Sequence, residues 1–525
     1  MKYFDKLLNK LFNIFNNFFI DKHSRRFIES NKKHFPDLGE RTDRIILADF
    51  HDIAQSHILY SYITNALALK YSARISTFGL SEIRYFLKRR VRLVYRSCNC
   101  SDFVLIKSHD NIRLGELLTS ALLQIKSKQD LIDLSIEGIG LGIDVYESYL
   151  RRYNRPTVDI KDPRLVQLLK EAIIHLLFWE NYLQSKNVAA VVISHDNYID
   201  LNILSKVARC RSVPVYVATT QLTVKVDSDF SYANKFFKYK EWFSMLSSEK
   251  QNLALMQSKE KLSRRFSGEV GVDMFYATKS AFAEVSNTRL IAESEKVKVL
   301  ICSHCFFDNP HAYGKLFFPD FYEWLMYLKE VAEKTDYDWY LKTHPDPLPG
   351  THSTIDEILG SGSKIKILPI EASNLQIAKE GIDIVLTAYG SVGHEYPLLG
   401  IPVINAGINP HISYSFNYHP SDLSDYSRYL YDLRRIKDEK YKISNEEVYQ
   451  FYYMHHDFSN SDDSTFDSYN SMINEIGYYN SSLPIVYDKF LNELVGAKHS
   501  NLVTKFEKYI ESNEKYCFYQ KIRTV

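Results

Sequence analysis

The chain has 525 residues, 45% of them apolar and 25% charged, and that length exceeds one hydrophobic core, so two or three domains are expected. A formal net charge of +1 supplies no field of the kind nucleic acid demands, and no nucleic-acid partner is expected. Cysteines at 98, 100, 210, 302, 305 and 517 form no second correctly spaced pair, which argues against zinc and for a reduced, cytoplasmic setting.

Residues 1–20 place Phe4, Leu7, Leu8, Leu11, Phe12, Phe15, Phe18 and Phe19 on one face of a helix. Asn9, Lys10, Asn13, Asn16 and Asn17 break the run, which is too polar to span a bilayer and lacks the core and cleavage site of a signal peptide. Lys22, Arg25, Arg26, Lys32 and Lys33 follow. Two readings stand level: a helix packed on its own protein, and an interfacial helix resting on an anionic inner-membrane surface through residues 1–33.

Arg44 to Phe50 reads as a first buried strand, with His51, Asp52, Ser56 and His57 just after it. A helical pattern from Ile58 to Leu69 and a strand from Ala73 to Phe78 continue a Rossmann-type start. No G-x-G-x-x-G is present there, so no dinucleotide cofactor is expected. Residues 80–180 read mostly helical, interrupted by the glycines of Ile136–Asp144, a turn rather than a phosphate cradle.

Val188 to Ile193 is the clearest strand of the first half and ends in Ser194-His195-Asp196-Asn197-Tyr198. A helical pattern from Leu201 to Ala208 and a strand from Val213 to Val217 follow. Histidine beside aspartate at a strand's carboxyl end suits a general base. A capping aspartate beside a structural histidine is the plainer reading. His51-Asp52, at the equivalent place after the first strand, tips the balance to function. Residues 218–290 read as loop and helices, with a charged stretch at Lys259–Gly268 and a linker near 286–295.

The second half holds three apolar strands, each leading into polar residues. Lys298–Cys302 leads to Ser303, His304, Asp308 and His311; Asp338–Lys342 leads to Thr343-His344-Pro345; Ile382–Thr387 leads to Tyr389-Gly390-Ser391-Val392-Gly393-His394-Glu395. Ile401–Asn405 is a fourth strand, and the stretch closes at Asn409. Continuous apolar runs with helical patterns between them read as a parallel sheet covered on both faces. Ligands of such sheets bind beyond the strands' carboxyl ends. Pro345 fixes His344 at the sheet's edge, where its imidazole can donate to a diphosphate, with Lys342 just before the turn. Ser391 is placed to cap a helix ending at Gly400, an anion site, and Glu395, one turn on, can accept from ribose hydroxyls or complete a capping box.

Taken together, His304, Asp308-x-Pro-His311, Asp320–Trp324, Lys342-Thr-His-Pro345, Gly390-Ser-x-Gly-x-Glu395 and Gly400-Ile-Pro402 resemble the GT-B glycosyltransferases of bacterial capsule and O-antigen synthesis. Those enzymes are relatives of the capsule-type Kdo transferases and of teichoic-acid polymerases, and share their fold with the non-hydrolysing UDP-GlcNAc 2-epimerases. The resemblance covers roughly residues 185–410 and implies an α/β fold of two Rossmann-like domains facing a cleft, with extra helices at the N-terminus, within the N-domain and at the C-terminus. It implies an N-terminal acceptor half and a C-terminal donor half. Two departures matter: a Gln-Thr-Pro triplet and an Asp-x-Asp motif beside a strand are both missing, so the donor stays open and a metal-independent reaction is expected.

The resulting division is an amphipathic extension over 1–40, an acceptor-side domain over 41–290, a donor domain over 291–440 and a helical region over 441–525 packing back on both. The expected activity is transfer of a sugar from a UDP- or CMP-sugar to a growing surface polysaccharide, the acceptor being a glycan or lipid-linked glycan. Epimerisation of a sugar nucleotide and a non-catalytic assembly subunit are the alternatives. Asp196, His195 and His344 are the catalytic candidates. Lys342, His344, Tyr389, Gly390, Ser391, Gly393, Glu395, His304 and Asn409 are placed on the donor, and His51, Asp52 and Tyr198 on the acceptor side. Neither a metal nor a cofactor is expected. A cytoplasmic location, peripheral on the inner face of the plasma membrane, goes with this reading.

Overall fold

The computed structural model describes residues 20–35, 37–39, 41–79, 82–107, 110–219, 222–228, 230–273, 277–282, 287–439, 443–458, 483–512 and 514–518. The first sheet takes β1 (Ile45–Asp49), β2 (Arg74–Gly79) and β3 (Cys100–Leu105). A two-residue hairpin, β4 (Ser135–Ile136) with β5 (Ile139–Gly140), stands apart, and β6 (Val188–Ile193), β7 (Val215–Ala218) and β8 (Leu222–Val226) return to the sheet. The second sheet is β9 (Lys298–Cys302), β10 (Asp338–Lys342), β11 (Ile365–Ile367), β12 (Ile384–Thr387) and β13 (Val403–Asn405). Near the chain's end β14 (Tyr516–Phe518) rejoins the first sheet.

The first sheet runs β14-β8-β7-β6-β1-β2-β3 and the second β11-β10-β9-β12-β13. The second is parallel throughout; in the first, β8 and β14 form an antiparallel edge on a parallel body. Both faces of each sheet are covered, which is why the strands read as continuous apolar runs. Ile45, Leu47, Val191 and Ile193 enter one core, while Ile46, Ala48, Ala190 and Val192 enter the opposite one. The second sheet repeats this, with Val299, Ile301, Leu341 and Leu386 on one face and Leu300, Tyr340, Val385 and Val403 on the other.

Strand order reverses between β6 and β1 in the first sheet and between β9 and β12 in the second. Such switch points open a crevice at the carboxyl ends, the place where ligands of doubly wound sheets bind. Asp49, His51, Ser194 and His195 stand at the first crevice, and Ser303, His304 and Thr387 at the second.

Two regions depart from the sequence reading. Cys100–Leu105, read within a helical stretch, is an edge strand whose Ser101 and Asp102 face solvent and interrupt its apolar run. Residues 218–290 contain β8, and their helices bind the far side of the molecule: Phe236, Tyr239, Trp242 and Phe243 pack with Tyr414, Phe416, Val448 and Phe451. Ile136–Asp144 is a hairpin leading into helix Gly142–Tyr153, where a Cβ on Gly142 would lie 1.8 Å from the Leu131 carbonyl oxygen. Its glycines serve packing and turns.

Residues 1–19, which carry the proposed interfacial face, lie outside the described residues. Helix Lys22–His34 packs on the chain itself: Phe27 is buried and stacks on Tyr487 with ring centroids 4.3 Å apart. Lys22, Arg25, Lys32 and Lys33 stay exposed. Helices Ile485–Glu493 and Lys498–Glu511 close over the first sheet's core. No helix among the described residues is long and apolar enough to cross a membrane.

Candidate active site

At the second crevice β9 delivers His304 and β12 delivers Thr387. Nε2 of His304 accepts from the Ala388 N–H at 3.1 Å and faces Thr387 Oγ1 at 2.9 Å. Thr387 Oγ1 itself accepts from the Gly390 N–H, so its own proton is free for the imidazole. The ring proton of His304 therefore sits on Nδ1. Burial pushes the His304 pKa down to about 3, so this is a neutral donor at physiological pH. His344, after β10, is set the other way: Nδ1 accepts from the Asp346 N–H at 3.0 Å, which places the proton on Nε2. Burial lowers its pKa as well. Lys342 is 4% exposed, and burial lowers its ammonium pKa.

These three side chains line one cavity of about 330 Å³ with Arg265, Lys279, Asn374, Ser391 and Glu395. Glu395 is buried and ion-paired. Arg265 Nε and Nη2 donate to its Oε1 at 2.9 and 2.5 Å, and Asn374 Nδ2 lies 3.4 Å from Oε2. Arg265 Nη1 also donates to Asp273 Oδ1 at 2.7 Å, and Nη2 reaches Ser391 Oγ at 3.5 Å.

The helix that follows is short, Val392–Leu398, and Ser391 makes no side-chain cap bond. The Gly390 amide is spent on Thr387 Oγ1, and the Gly393 amide on the Gly390 carbonyl. Two of the amides expected to cradle an anion are therefore already engaged. The capping-box reading of Glu395 fails with the missing cap bond, because its carboxylate turns to Arg265 instead. Gly393 sits under a histidine: a Cβ there would lie 2.5 Å from His411 Cε1. Asn409 is fully buried, donating to the Gly407 carbonyl at 2.9 Å and accepting from the His411 N–H, and so braces a loop outside the cavity. Tyr389 lies beside the cavity, its ring 4.7 Å from His304 and its hydroxyl donating to the Asn309 carbonyl.

At the first crevice Asp49, the last residue of β1, is the buried centre. It accepts from the Tyr60 hydroxyl and, at 2.9 Å, from Ser194 Oγ. Ser194 Oγ lies 3.1 Å from His195 Nδ1. With the serine proton given to Asp49, the serine oxygen accepts from Nδ1–H, and Nε2 of His195 keeps its lone pair. His51 Nε2 stands 3.8 Å from Asp49 Oδ2, and burial lowers the pKa of both histidines against the pull of Asp49. Asp52 is paired with Arg90. His57 is structural: Nε2 donates to the His51 carbonyl and Nδ1 accepts from Tyr487.

His195 and Asp196, adjacent in sequence, open into different spaces. His195 lines a cleft of about 910 Å³ together with Arg151, Tyr198, His304, Cys305, Asp308 and Tyr389. Asp196 lines an adjoining cavity of about 780 Å³ with Lys206 and Arg209, which shares Asn197 and Ala312 with that cleft, and accepts from the Tyr232 N–H at 3.3 Å. The cleft and the donor-side cavity share His304, Cys305 and Leu348 as a common wall. Across the cleft the Tyr198 hydroxyl donates to Asp308 at 2.8 Å and accepts from Arg151 at 2.7 Å. Tyr198 takes φ +62°, a left-handed conformation that a tyrosine holds at a cost of about 1–3 kcal/mol and that marks a constrained position.

Arg265, Asp49 and Ser194 are the side chains that sequence reasoning missed. Arg265 lay in a charged stretch that reads as a solvated helix. Asp49 lay inside an apolar strand, where a lone carboxylate is itself a signal, because buried acids need partners. Among the described residues two groups could hold a metal: Asp273 with His394 and His456, and Glu171 with His175 and Asp200.

Two doubly wound sheets whose carboxyl ends meet at one cleft make this chain an α/β protein of the GT-B layout. No family model matches it, and no curated protein does. Among solved structures it is similar to the Thermosulfurimonas dismutans KpsC beta Kdo 2,4 transferase, with 14% identity over 51% of this chain and 80% of that one and a TM-score of 0.29. It is also similar to the UDP-GlcNAc 2-epimerase from Neisseria meningitidis bound to UDP-GlcNAc, with 11% identity over 78% and 98% and a TM-score of 0.24. Anabaena Alr3699/HepE in complex with UDP and glucose is a third, with 10% identity over 82% and 98% and a TM-score of 0.26.

Proposed function

We propose that this chain is a glycosyltransferase moving a sugar from a UDP- or CMP-sugar to a hydroxyl of a bacterial surface glycan, free or lipid-linked. The observation that carries the reading is His304 on the common wall of the two spaces, with neutral imidazole N–H groups on one side and His195 on the other. The first sheet serves the acceptor and the second the donor. Residues 232–273, although ahead of the second sheet in sequence, belong functionally with the donor half through Arg265.

In the proposed step the acceptor oxygen forms a bond to the anomeric carbon while the bond from that carbon to the phosphate oxygen breaks. The acceptor's proton goes to His195 Nε2, whose Nδ1–H is oriented by Ser194 and, through it, by Asp49. This moves the base from Asp196, the first choice from sequence, to its neighbour. Charge growing on the phosphate is met by His304 Nδ1–H, His344 Nε2–H and the Lys342 ammonium, and hydrogen-bond donors fixed in advance contribute most to catalysis of this kind. Glu395 offers a ribose hydroxyl the second lone pair of Oε2, beside the Asn374 amide, while Arg265 holds Oε1. Arg151, Tyr198 and Asp308 frame the cleft where the acceptor lies.

Attachment to the inner face of the membrane would rest on residues 1–19 together with the exposed cations of helix Lys22–His34. The experiment for the donor class is a thermal-shift screen with UDP, CMP, CDP and GDP. A binder at about 100 times its dissociation constant adds roughly 2.7 kcal/mol. Stabilisation by UDP or CMP and not by GDP supports the proposal, and indifference to all four removes it.

A further inference from the structure

Behind Glu395, on the side away from the donor cavity, three segments distant in sequence converge. Asp273 comes from the chain after helix Ser248–Phe266, His394 from helix Val392–Leu398, and His456 from the turn Tyr453–Asp457. One ligand-capable atom from each lies within 4.8 Å of the other two. His394 is 2% exposed; its Nδ1 faces His411 Nε2 at 3.3 Å, which leaves Nε2, buried and without a hydrogen-bond partner, as the nitrogen that serves the cluster. The Asp273 side chain is 1% exposed; Arg265 holds Oδ1, and the carboxylate also faces the buried Tyr452 hydroxyl. Buried polar atoms in a native protein are almost always satisfied, so an orphaned imidazole nitrogen set beside a second histidine and a carboxylate asks for a ligand.

We infer that Asp273, His394 and His456 bind one divalent transition-metal ion of the zinc class. Two imidazoles and a carboxylate are a donor set zinc accepts, with a fourth place left for water or another group. The outer contacts suit it as well. His411 orients the His394 ring, and Arg265 holds the carboxylate oxygen that does not ligate; such supporting bonds orient ligands in metal sites generally. The other three-residue group lacks this character, because Arg152 already bridges Glu171 and Asp200. The ion's place behind Glu395 gives it a positioning role: it ties the Arg265–Asp273 arm to the helix that carries Ser391 and Glu395.

The test uses the full chain and needs no substrate. The purified protein is stripped with a chelator and titrated with Co²⁺ and then Zn²⁺, with metal content, visible d–d absorption and melting temperature as readouts. About one equivalent of Co²⁺ per chain with nitrogen-ligand d–d bands, displaced by Zn²⁺, and a higher melting temperature with either ion are expected. Asp273→Asn, almost isosteric, and His394→Ala should each lose that equivalent, while His175→Ala keeps it. A wild-type chain that binds less than a tenth of an equivalent overturns the inference. So does a folded Asp273→Asn protein, judged by near-ultraviolet circular dichroism, that binds both ions as the wild type does.

Discussion

Arg265 and Glu395 lie 130 residues apart and form a two-donor ion pair in the wall of the donor-side cavity. Both are shielded, the arginine side chain 13% and the glutamate 1% exposed, so screening by solvent is weak. Removing one partner of such a pair costs about 3–5 kcal/mol, because the other charge is left buried. Arg265→Ala should therefore lower stability by that order and reduce nucleotide affinity with it. Glu395→Gln keeps the shape but removes the charge that both Arg265 and the ribose would use. Nucleotide affinity should fall by about 1.5–3 kcal/mol if a charged hydrogen bond to the ligand is lost. Calorimetric titration beside urea unfolding separates the two effects, and unchanged affinity with a lowered melting temperature would leave Glu395 only the task of holding Arg265.

His344→Ala should reduce turnover by about 10²–10³ while leaving acceptor binding alone, as expected for one preorganised donor to a developing anion. Rapid-quench measurement of the transfer step reads this directly. His304→Ala should do at least as much, because it also loosens the Thr387–Gly390 turn. Wild-type rates in a folded His344→Ala protein would remove the leaving-group role.

The base is tested by comparing two adjacent residues. His195→Ala should reduce transfer by about 10²–10⁴ with donor affinity retained. Asp196→Asn should change transfer little, since Asp196 opens into the other cavity. Ser194→Ala acts through His195 and should shift the acidic limb of the pH–rate profile rather than donor affinity. A dead Asp196→Asn beside an active His195→Ala would return the role to the aspartate.

Buried histidines set the response to acid. Burial holds His304 down to about 3 and His175 and His419 down to about 4. Their folded pKa values lie below the unfolded value of about 6.5, so the stability they contribute is complete above that pH. It is lost as pH falls from 6.5 towards each folded value, at roughly 1.4 kcal/mol per pH unit per histidine. Asp144, Glu147 and Asp320 oppose this, since burial raises their pKa values and the folded state takes up protons on them as pH falls. The urea midpoint should fall steeply between pH 6.5 and 5. A flat midpoint over that window would contradict the burial of these imidazoles.

The amino-terminal segment gives a prediction that the structure revises. From sequence alone, removing residues 1–33 should detach the protein from anionic vesicles without harm. Helix Lys22–His34 carries buried Phe27 on Tyr487, and losing a buried phenylalanine side chain costs about 3–5 kcal/mol. Deletion of 1–19 should thus abolish vesicle binding with the melting temperature kept, whereas deletion of 1–33 should lower it by several degrees. A full-length chain that ignores anionic vesicles at low salt would end the membrane reading.

The strands at both crevices were legible because burial on both faces turns them into unbroken apolar runs; Val188–Ile193, Lys298–Cys302 and Asp338–Lys342 have the bounds read from sequence. His195, His304, His344 and Lys342 were legible for the same reason, standing where such runs stop. Edge strands β3 and β14 were not, since Ser101 and Asp102 of β3 face solvent and β14 is three residues long. Arg265 could not be found from one sequence: its partners lie 8 and 130 residues away, and only packing of helix Ser248–Phe266 against helix Asn445–Tyr452 brings them together. Ser391 shows the reverse failure, a capping signal overridden when its hydroxyl turned to an arginine.

The central claim is sugar transfer with His195 as base, and acceptor-dependent release of nucleotide measures it most directly. The chain is mixed with UDP- or CMP-sugars, with and without glycan isolated from the surface of the source cells, and free nucleotide and glycan mass are followed together. Nucleotide release only when glycan is present, a matching gain of one sugar on the glycan, and loss of both in His195→Ala are expected. Conversion of the sugar nucleotide to its 2-epimer without any acceptor, or transfer undiminished in His195→Ala, would contradict that claim.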